Sequence, residues 1–189
     1  FSDFDLDGDE DLFVLNGYEN DFLYYTTLKE NFYFKNLLME GDELFIDHSV
    51  ESQVHDNTNS LSMAVFDYDN DGDHDILVSQ TNDHPHFYEN KTTNGDTLNE
   101  PSWVNFRLEG TVSNRDGLGS YLKVWSNGQV QSRLYYGAGF LTQSLQAVHF
   151  GLGEASNIDS LEIIWDSGII EKLYNLPTSE TFHITENEG

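Results

Sequence analysis

The 189-residue sequence has no cysteine, only three prolines, and only eight lysines and arginines against 34 aspartates and glutamates. Without thiols there are no disulfides, no cysteine-ligated zinc and no thiol nucleophile, although the compartment is left open. The shortage of bases leaves a formal charge of −26, and a chain this acidic is repelled by nucleic acid and by anionic membrane surfaces. No apolar run approaches the roughly 18 residues of a membrane-spanning helix, and no basic-then-apolar stretch reads as an export signal. An acidic solvated tail is also excluded, because 14% of the residues are aromatic. A folded chain is expected, with cations, basic proteins and neutral ligands as its possible partners.

The acid is concentrated in two windows. Residues 3–11 read DFDLDGDED and residues 67–75 read DYDNDGDHD, and together they hold 11 of the 34 acidic residues. Both place Asp at positions 1, 3, 5, 7 and 9 and Gly at position 6 (Gly8 and Gly72). Such dense like charge opposes compaction unless a cation reverses the cost. Ca²⁺ takes six to eight oxygens in irregular geometry. A tight loop offers them from alternate side chains at positions 1, 3 and 5, a backbone carbonyl at 7 and a carboxylate at 9, with glycine at 6 supplying positive φ. An EF-hand needs Glu at position 12 between helices. Here position 12 is Val14 or Val78, within the apolar runs Leu12–Leu15 and Ile76–Val78, which read as buried strands. The ninth carboxylate is therefore expected to close the cage. Two copies in identical register, 64 residues apart (67 − 3 = 64), argue for two calcium sites. Their metal-ligating residues are Asp3, Asp5, Asp7, Asp9 and Asp11 in one and Asp67, Asp69, Asp71, Asp73 and Asp75 in the other.

These residues resemble the FG-GAP (VCBS) repeat of integrin-type β-propellers, with its Asp-x-Asp-x-Asp-Gly-Asp-x-Asp loop after Phe and before an apolar strand. Ser62–Phe66 resembles the strand entering the loop, residues 44–49 the Thr-Phe-x-Asp-Val-Thr stretch, and residues 31–36 the Asn-x-Leu-Tyr-Arg-Asn segment. In the second half, Trp103-Val104, residues 113–119 (SNRDGLG), His149-Phe150-Gly151-Leu152-Gly153 and residues 161–165 (LEIIW) resemble the ASPIC/UnbV domain. The pairing is that of the cartilage acidic protein family and its bacterial relatives. The resemblance implies secreted or cell-surface, calcium-binding, non-enzymatic proteins of adhesion or intermolecular contact. It also implies more repeats than the two seen here, the first reduced to Phe1-Ser2 ahead of its loop, so a C-terminal fragment is expected. The open strand edges would then be covered by further blades or by another chain.

The fold class expected is all-β: partial propeller-type repeats over residues 1–92, a linker at 93–102 of turn composition, and a β-sandwich-like domain over 103–189. Within the second domain, Ser126-Asn127-Gly128 and Asp166-Ser167-Gly168 each sit between strand-like runs as hairpin turns. The aromatic-rich stretch 18–34 reads as strand packing, and Gly137-Ala138-Gly139 as a turn. His74 with His84 and His86 could form a transition-metal site, with a polar surface loop as the simpler reading, and His149 reads as a strand residue. Arg115 and Asp116 form the most distinctive polar cluster of the second half, either an ion pair ordering a turn or a binding site. No Gly-x-Ser-x-Gly elbow, HExxH pair or phosphate-binding loop is present, and carboxylates clamped on calcium make poor general acids. The expectation is a non-catalytic interaction module, and the competing reading is a carbohydrate-binding module, with Trp103, Trp125 and Trp165 to stack on sugars, or the non-catalytic part of a polysaccharide-active enzyme. The partner, protein or glycan, is not identified by any motif.

Overall fold

The computed structural model describes residues 1–17, 30–41, 44–55, 59–81, 83–93, 100–139, 142–143 and 146–187, and among them every regular element is a β-strand. Most of the aromatic stretch after Gly17 and most of the expected linker lie outside the described residues. The first half forms two antiparallel sheets of three strands. One is β1 (Leu12–Val14), β2 (Phe32–Asn36) and β3 (Phe45–Asp47), and the other is β4 (Ser60–Phe66), β5 (Asp75–Gln80) and β6 (His86–Tyr88), each in that spatial order. The apolar runs behind the two nonapeptides are thus β1 and β5. The bridge Ser2–Asp11 occupies the place that the pair Phe66–Asp75 holds in the second sheet. Each nonapeptide is therefore the turn of a hairpin, with Ser2 on the first arm of one and Phe66 on the first arm of the other. Alternation sends Phe13, Tyr33, Ile76 and Val78 inward, where they meet Phe4 and Val54 in one core between the sheets. Tyr33 meets the edge of the Phe4 ring at 5.8 Å.

The second half is a sandwich. β7 (Ser102–Glu109) lies between β12 (Val148–Gly153) and β15 (Glu180–Thr185), antiparallel to the first and parallel to the second. The facing sheet runs β14 (Ile170–Pro177), β13 (Asn157–Ile164), β8 (Tyr121–Ser126), β9 (Gln129–Leu134). Val104 and Phe106 from one sheet pack against Leu122, Val124, Leu161 and Ile163 from the other, with Trp165 at one end. Each such side chain contributes roughly 1.5–3 kcal/mol on burial. The β8–β9 hairpin turns through Asn127 (φ 49°) and Gly128 (φ 76°), the left-handed pair that matches strand twist. Gly168 (φ 89°) turns the β13–β14 connection. The expected turn at Gly137–Gly139 is instead the start of a small hairpin, β10 (Ala138–Gly139) with β11 (Thr142–Gln143). Nothing in its composition distinguishes a two-residue strand from a turn.

β12 positions the site. It is the outer strand of its sheet, yet Val148 to Leu152 are all buried. Val148, Phe150 and Leu152 fill the sandwich core. Residues 149 and 151 alternate to the other face, where the first half covers them, His74 beside the His149 ring and Asp3 on the Gly151 amide.

Candidate metal centres

Both nonapeptides share one turn geometry at positions 1 and 4 to 7. Position 1 accepts from the position-6 amide: Gly8 N–H to Asp3 Oδ2 and Gly72 N–H to Asp67 Oδ2, both 3.1 Å. Position 5 accepts from the position-7 amide: Asp9 N–H to Asp7 Oδ1 at 3.0 Å and Asp73 N–H to Asp71 Oδ1 at 3.1 Å. Position 4 has left-handed φ (Leu6 and Asn70, each 63°), as does the position-6 glycine (Gly8 107°, Gly72 98°). These turns draw the side chains of positions 1, 3 and 5 together. One carboxylate oxygen from each of Asp3, Asp5 and Asp7 lies within 4.8 Å of the others, and the same holds for Asp67, Asp69 and Asp71.

The ninth carboxylates do other work. Asp11 Oδ2 accepts from the Phe4 amide (3.0 Å) and the Tyr33 hydroxyl (3.0 Å), and its Oδ1 from the Asn36 amide (2.8 Å). Asp75 repeats this with the Tyr68 amide (2.8 Å) and the Asn90 amide (2.9 Å). Asp9 and Asp73 likewise hold the amides of Met39 and Thr93. Of the five predicted ligands per loop, the structure thus brings positions 1, 3 and 5 together and turns 7 and 9 onto the backbone of the strand exit. Asp7 and Asp9 also converge with Glu40. Sequence reasoning gave Asn36 and Asn90 no role at the loops, although Asn36 closes β2 and Asn90 lies two residues beyond β6, each 25 or 15 residues after the aspartate it meets.

Several carboxylate oxygens are buried without a hydrogen-bond partner: Asp3 Oδ1, Asp7 Oδ2, Asp9 Oδ1, Asp67 Oδ1 and Asp73 Oδ1. Burial pushes Asp7 up to about 7 against the lowering effect of the Asp9 amide, and Asp73 up to about 7 against Thr93. Asp3 stands well above the carboxylate range through burial and then through Asp7 and Asp5. Within the two trios, the unpartnered oxygens of Asp3, Asp7 and Asp67 belong to carboxylates whose pKa burial raises, and a hard dication there supplies the missing partner and reverses the electrostatic cost. Among the described residues, a basic side chain pairs with a trio carboxylate in the first loop alone of the two. Lys35 pairs with Asp5 (2.6 Å) and Glu40 (2.9 Å) beside the first loop, whereas the equivalent residue beside the second is Glu89.

The other predicted residues are placed as follows. Arg115 and Asp116 are exposed, and among the described residues no ion pair joins them. Their turn is ordered by the Asn114 side chain on the Asp116 amide and by Glu186, which was not legible in the sequence. Glu186 Oε2 accepts from three successive amides, Thr111, Val112 and Ser113, at 2.7–2.9 Å. Burial raises its pKa, but the Ser167 hydroxyl and the Ser113 and Val112 amides outweigh it and bring it to about 2. His74 does not join His84 and His86 in a metal group among the described residues. It lies half-buried between the two halves, with Nδ1 2.7 Å from Ser2 Oγ and its ring 4.2 Å from that of His149, and loss of hydration pushes its pKa down to about 4. His149 is a strand residue with Nδ1 bonded to Asn105 Oδ1 (3.0 Å).

Residues 110–189 match the family described as ASPIC and UnbV, which accounts for the sandwich from the end of β7 onward and for under half of the chain. Comparison with curated proteins returns no match.

Proposed function

We propose that this chain, an ASPIC and UnbV domain carried behind two acidic hairpin loops, is a calcium-binding, non-catalytic interaction module that works outside the cell or at its surface. The single observation that supports the reading best is the twin geometry. Two loops 64 residues apart (67 − 3 = 64) converge the same three carboxylates, and each leaves the position-1 oxygen, Asp3 Oδ1 or Asp67 Oδ1, buried without a partner. Asp3, Asp5 and Asp7 would hold one ion, and Asp67, Asp69 and Asp71 the other. The ion supplies charge neutralisation and oxygen coordination, while the chain supplies the turn, the amides that aim the carboxylates and the strands on either side. Two ions bring the net charge from −26 only to −22, so the surface stays strongly acidic and suits a basic or neutral partner. The FG-GAP resemblance of the first half supports the same assignment. The glycan reading is less well supported, because Trp165 is buried with its N–H on Glu171 and Trp103 lies against Gly72.

The test is thermal unfolding after chelation and after readdition of CaCl₂. A ligand at a hundredfold excess over Kd stabilises by about 2.7 kcal/mol. The melting temperature is expected to climb through the millimolar calcium range, and identical melts in calcium and chelator would refute the reading.

A further inference from the structure

We propose that the first loop and the outer edge of β12 form a cation-dependent latch: the ion-loaded nonapeptide is the partner that the Gly151–Gly153 edge of the sandwich is shaped to accept. The inference rests on the calcium reading of that loop and adds what the ion does there.

An outer strand leaves amides unpaired, and they must be covered. On β12 they are covered by the loop: Gly151 N–H donates to Asp3 Oδ2 (3.1 Å), and Gly153 N–H donates to the Leu6 carbonyl (2.8 Å). Gln131 Nε2 of β9 donates to the Gly151 carbonyl at 2.7 Å and fills the space beside Gly8, where a Cβ would come within 2.8 Å of it. Arg133 pairs with Glu10 (3.2 Å) while lying over the Phe150 ring. The fit is close enough to demand glycine. A Cβ on residue 151 would stand 2.2 Å from Asp3 Oδ2 and 2.5 Å from the Leu6 Cα. Loop positions 1, 4 and 8 therefore all touch the sandwich, and the family-like segment His149–Gly153 is their receptor.

The metal sets the sign of this contact. Docking leaves Asp3 only 2% exposed, beside Asp5 and Asp7, with Oδ1 unpartnered. Without a cation the contact buries an uncompensated carboxylate, which opposes docking. With a cation at Oδ1 the same carboxylate is satisfied on both oxygens, and the Gly151 amide holds it aimed at the ion. By reciprocity, docking then tightens ion binding by the factor by which the ion tightens docking. The second loop is not wired this way. Among the described residues no sandwich amide reaches Asp67, and the sandwich meets that loop through side chains, the Trp103 indole packed on Gly72 and the His149 ring beside His74.

The experiment is amide hydrogen exchange on the full chain, with CaCl₂ or with chelator, paired with calorimetric titration of CaCl₂ into wild type, Gly151→Ala and Asp67→Ala. A coupling in the usual allosteric range corresponds to about 5–150-fold. Exchange at Gly151 and Gly153 is expected to speed up by a factor in that range when calcium is removed, and Asp67→Ala should leave that response intact. Gly151→Ala should weaken the first-loop site by the same factor and leave the second unchanged. Should Gly151→Ala fail to fold, exchange at the two wild-type amides decides alone. Two ions bound with indifferent exchange at Gly151 and Gly153 would overturn the latch and leave the calcium reading standing. No calcium bound to wild type would overturn both.

Discussion

Truncating Asp11 separates the structural carboxylates from those proposed to face a metal. Asp11 is fully buried, and Asp11→Ala would strip acceptors from the Phe4 amide, the Tyr33 hydroxyl and the Asn36 amide at once. Phe4 and Tyr33 are themselves core residues, so water reaches their donors poorly. Each buried donor left unsatisfied costs about 1–3 kcal/mol. Partial offset comes from losing a carboxylate that burial holds up near 6. The net expectation is a loss of about 3–5 kcal/mol, a large share of the roughly 5–15 kcal/mol that holds a domain folded. Urea unfolding followed by far-ultraviolet circular dichroism would measure it, in saturating calcium and again in excess chelator. Because the partners are protein donors, the loss should be nearly the same in both. Asp7→Asn should behave in the opposite way, abolishing part of the calcium response while leaving the chelated protein as stable as wild type or more so, since burial disfavours its charge. If the Asp11→Ala deficit disappeared in chelator, Asp11 would be a metal ligand and the division of labour within the loop would be refuted.

Other consequences follow from neighbouring groups. Glu186 has a folded pKa brought down to about 2 from 4.5, so its contribution is complete above about pH 4.5 and is lost as pH falls toward 2. The melting temperature of wild type should exceed that of Glu186→Gln at neutral pH, and the gap should close across that acidic window. Gly72→Ala places a Cβ 1.9 Å from the Trp103 indole at a φ of +98°, and a cost of about 2–4 kcal/mol with a red-shifted tryptophan emission is expected. Lys35→Met removes an ammonium 2.6 Å from Asp5, and first-loop calcium affinity should rise about fivefold in a low-salt titration while the second site is unmoved.

The parts of this fold legible in the sequence are those specified locally. Alternating aspartates with glycine at position 6 mark a hairpin turn because the turn needs a left-handed residue there, and Asn127-Gly128 marks the β8–β9 turn for the same reason. Alternation of apolar residues locates β7 and β8, and the family-like motifs of the second half fall within or beside the matched region. What was not legible depends on partners far along the chain. Asp11 looks identical to Asp3 in the motif, and only the amide of Asn36, 25 residues on, shows that it anchors the strand exit. Asp3 meets Gly151 across 148 residues, and Glu186 meets the Thr111–Ser113 amides across more than 70. No periodicity records such meetings, because each is fixed by how two units pack. His74 shows the same limit: nothing in the loop sequence foretells that its ring packs beside that of His149, 75 residues on.

The central claim is that each nonapeptide holds one hard dication on its first three aspartates. Anomalous diffraction from crystals grown in CaCl₂ tests it most directly. The account predicts two calcium peaks, one among Asp3, Asp5 and Asp7 and one among Asp67, Asp69 and Asp71, each about 2.3–2.6 Å from its carboxylate oxygens. Well-ordered loops with no anomalous peak at either cluster would contradict it.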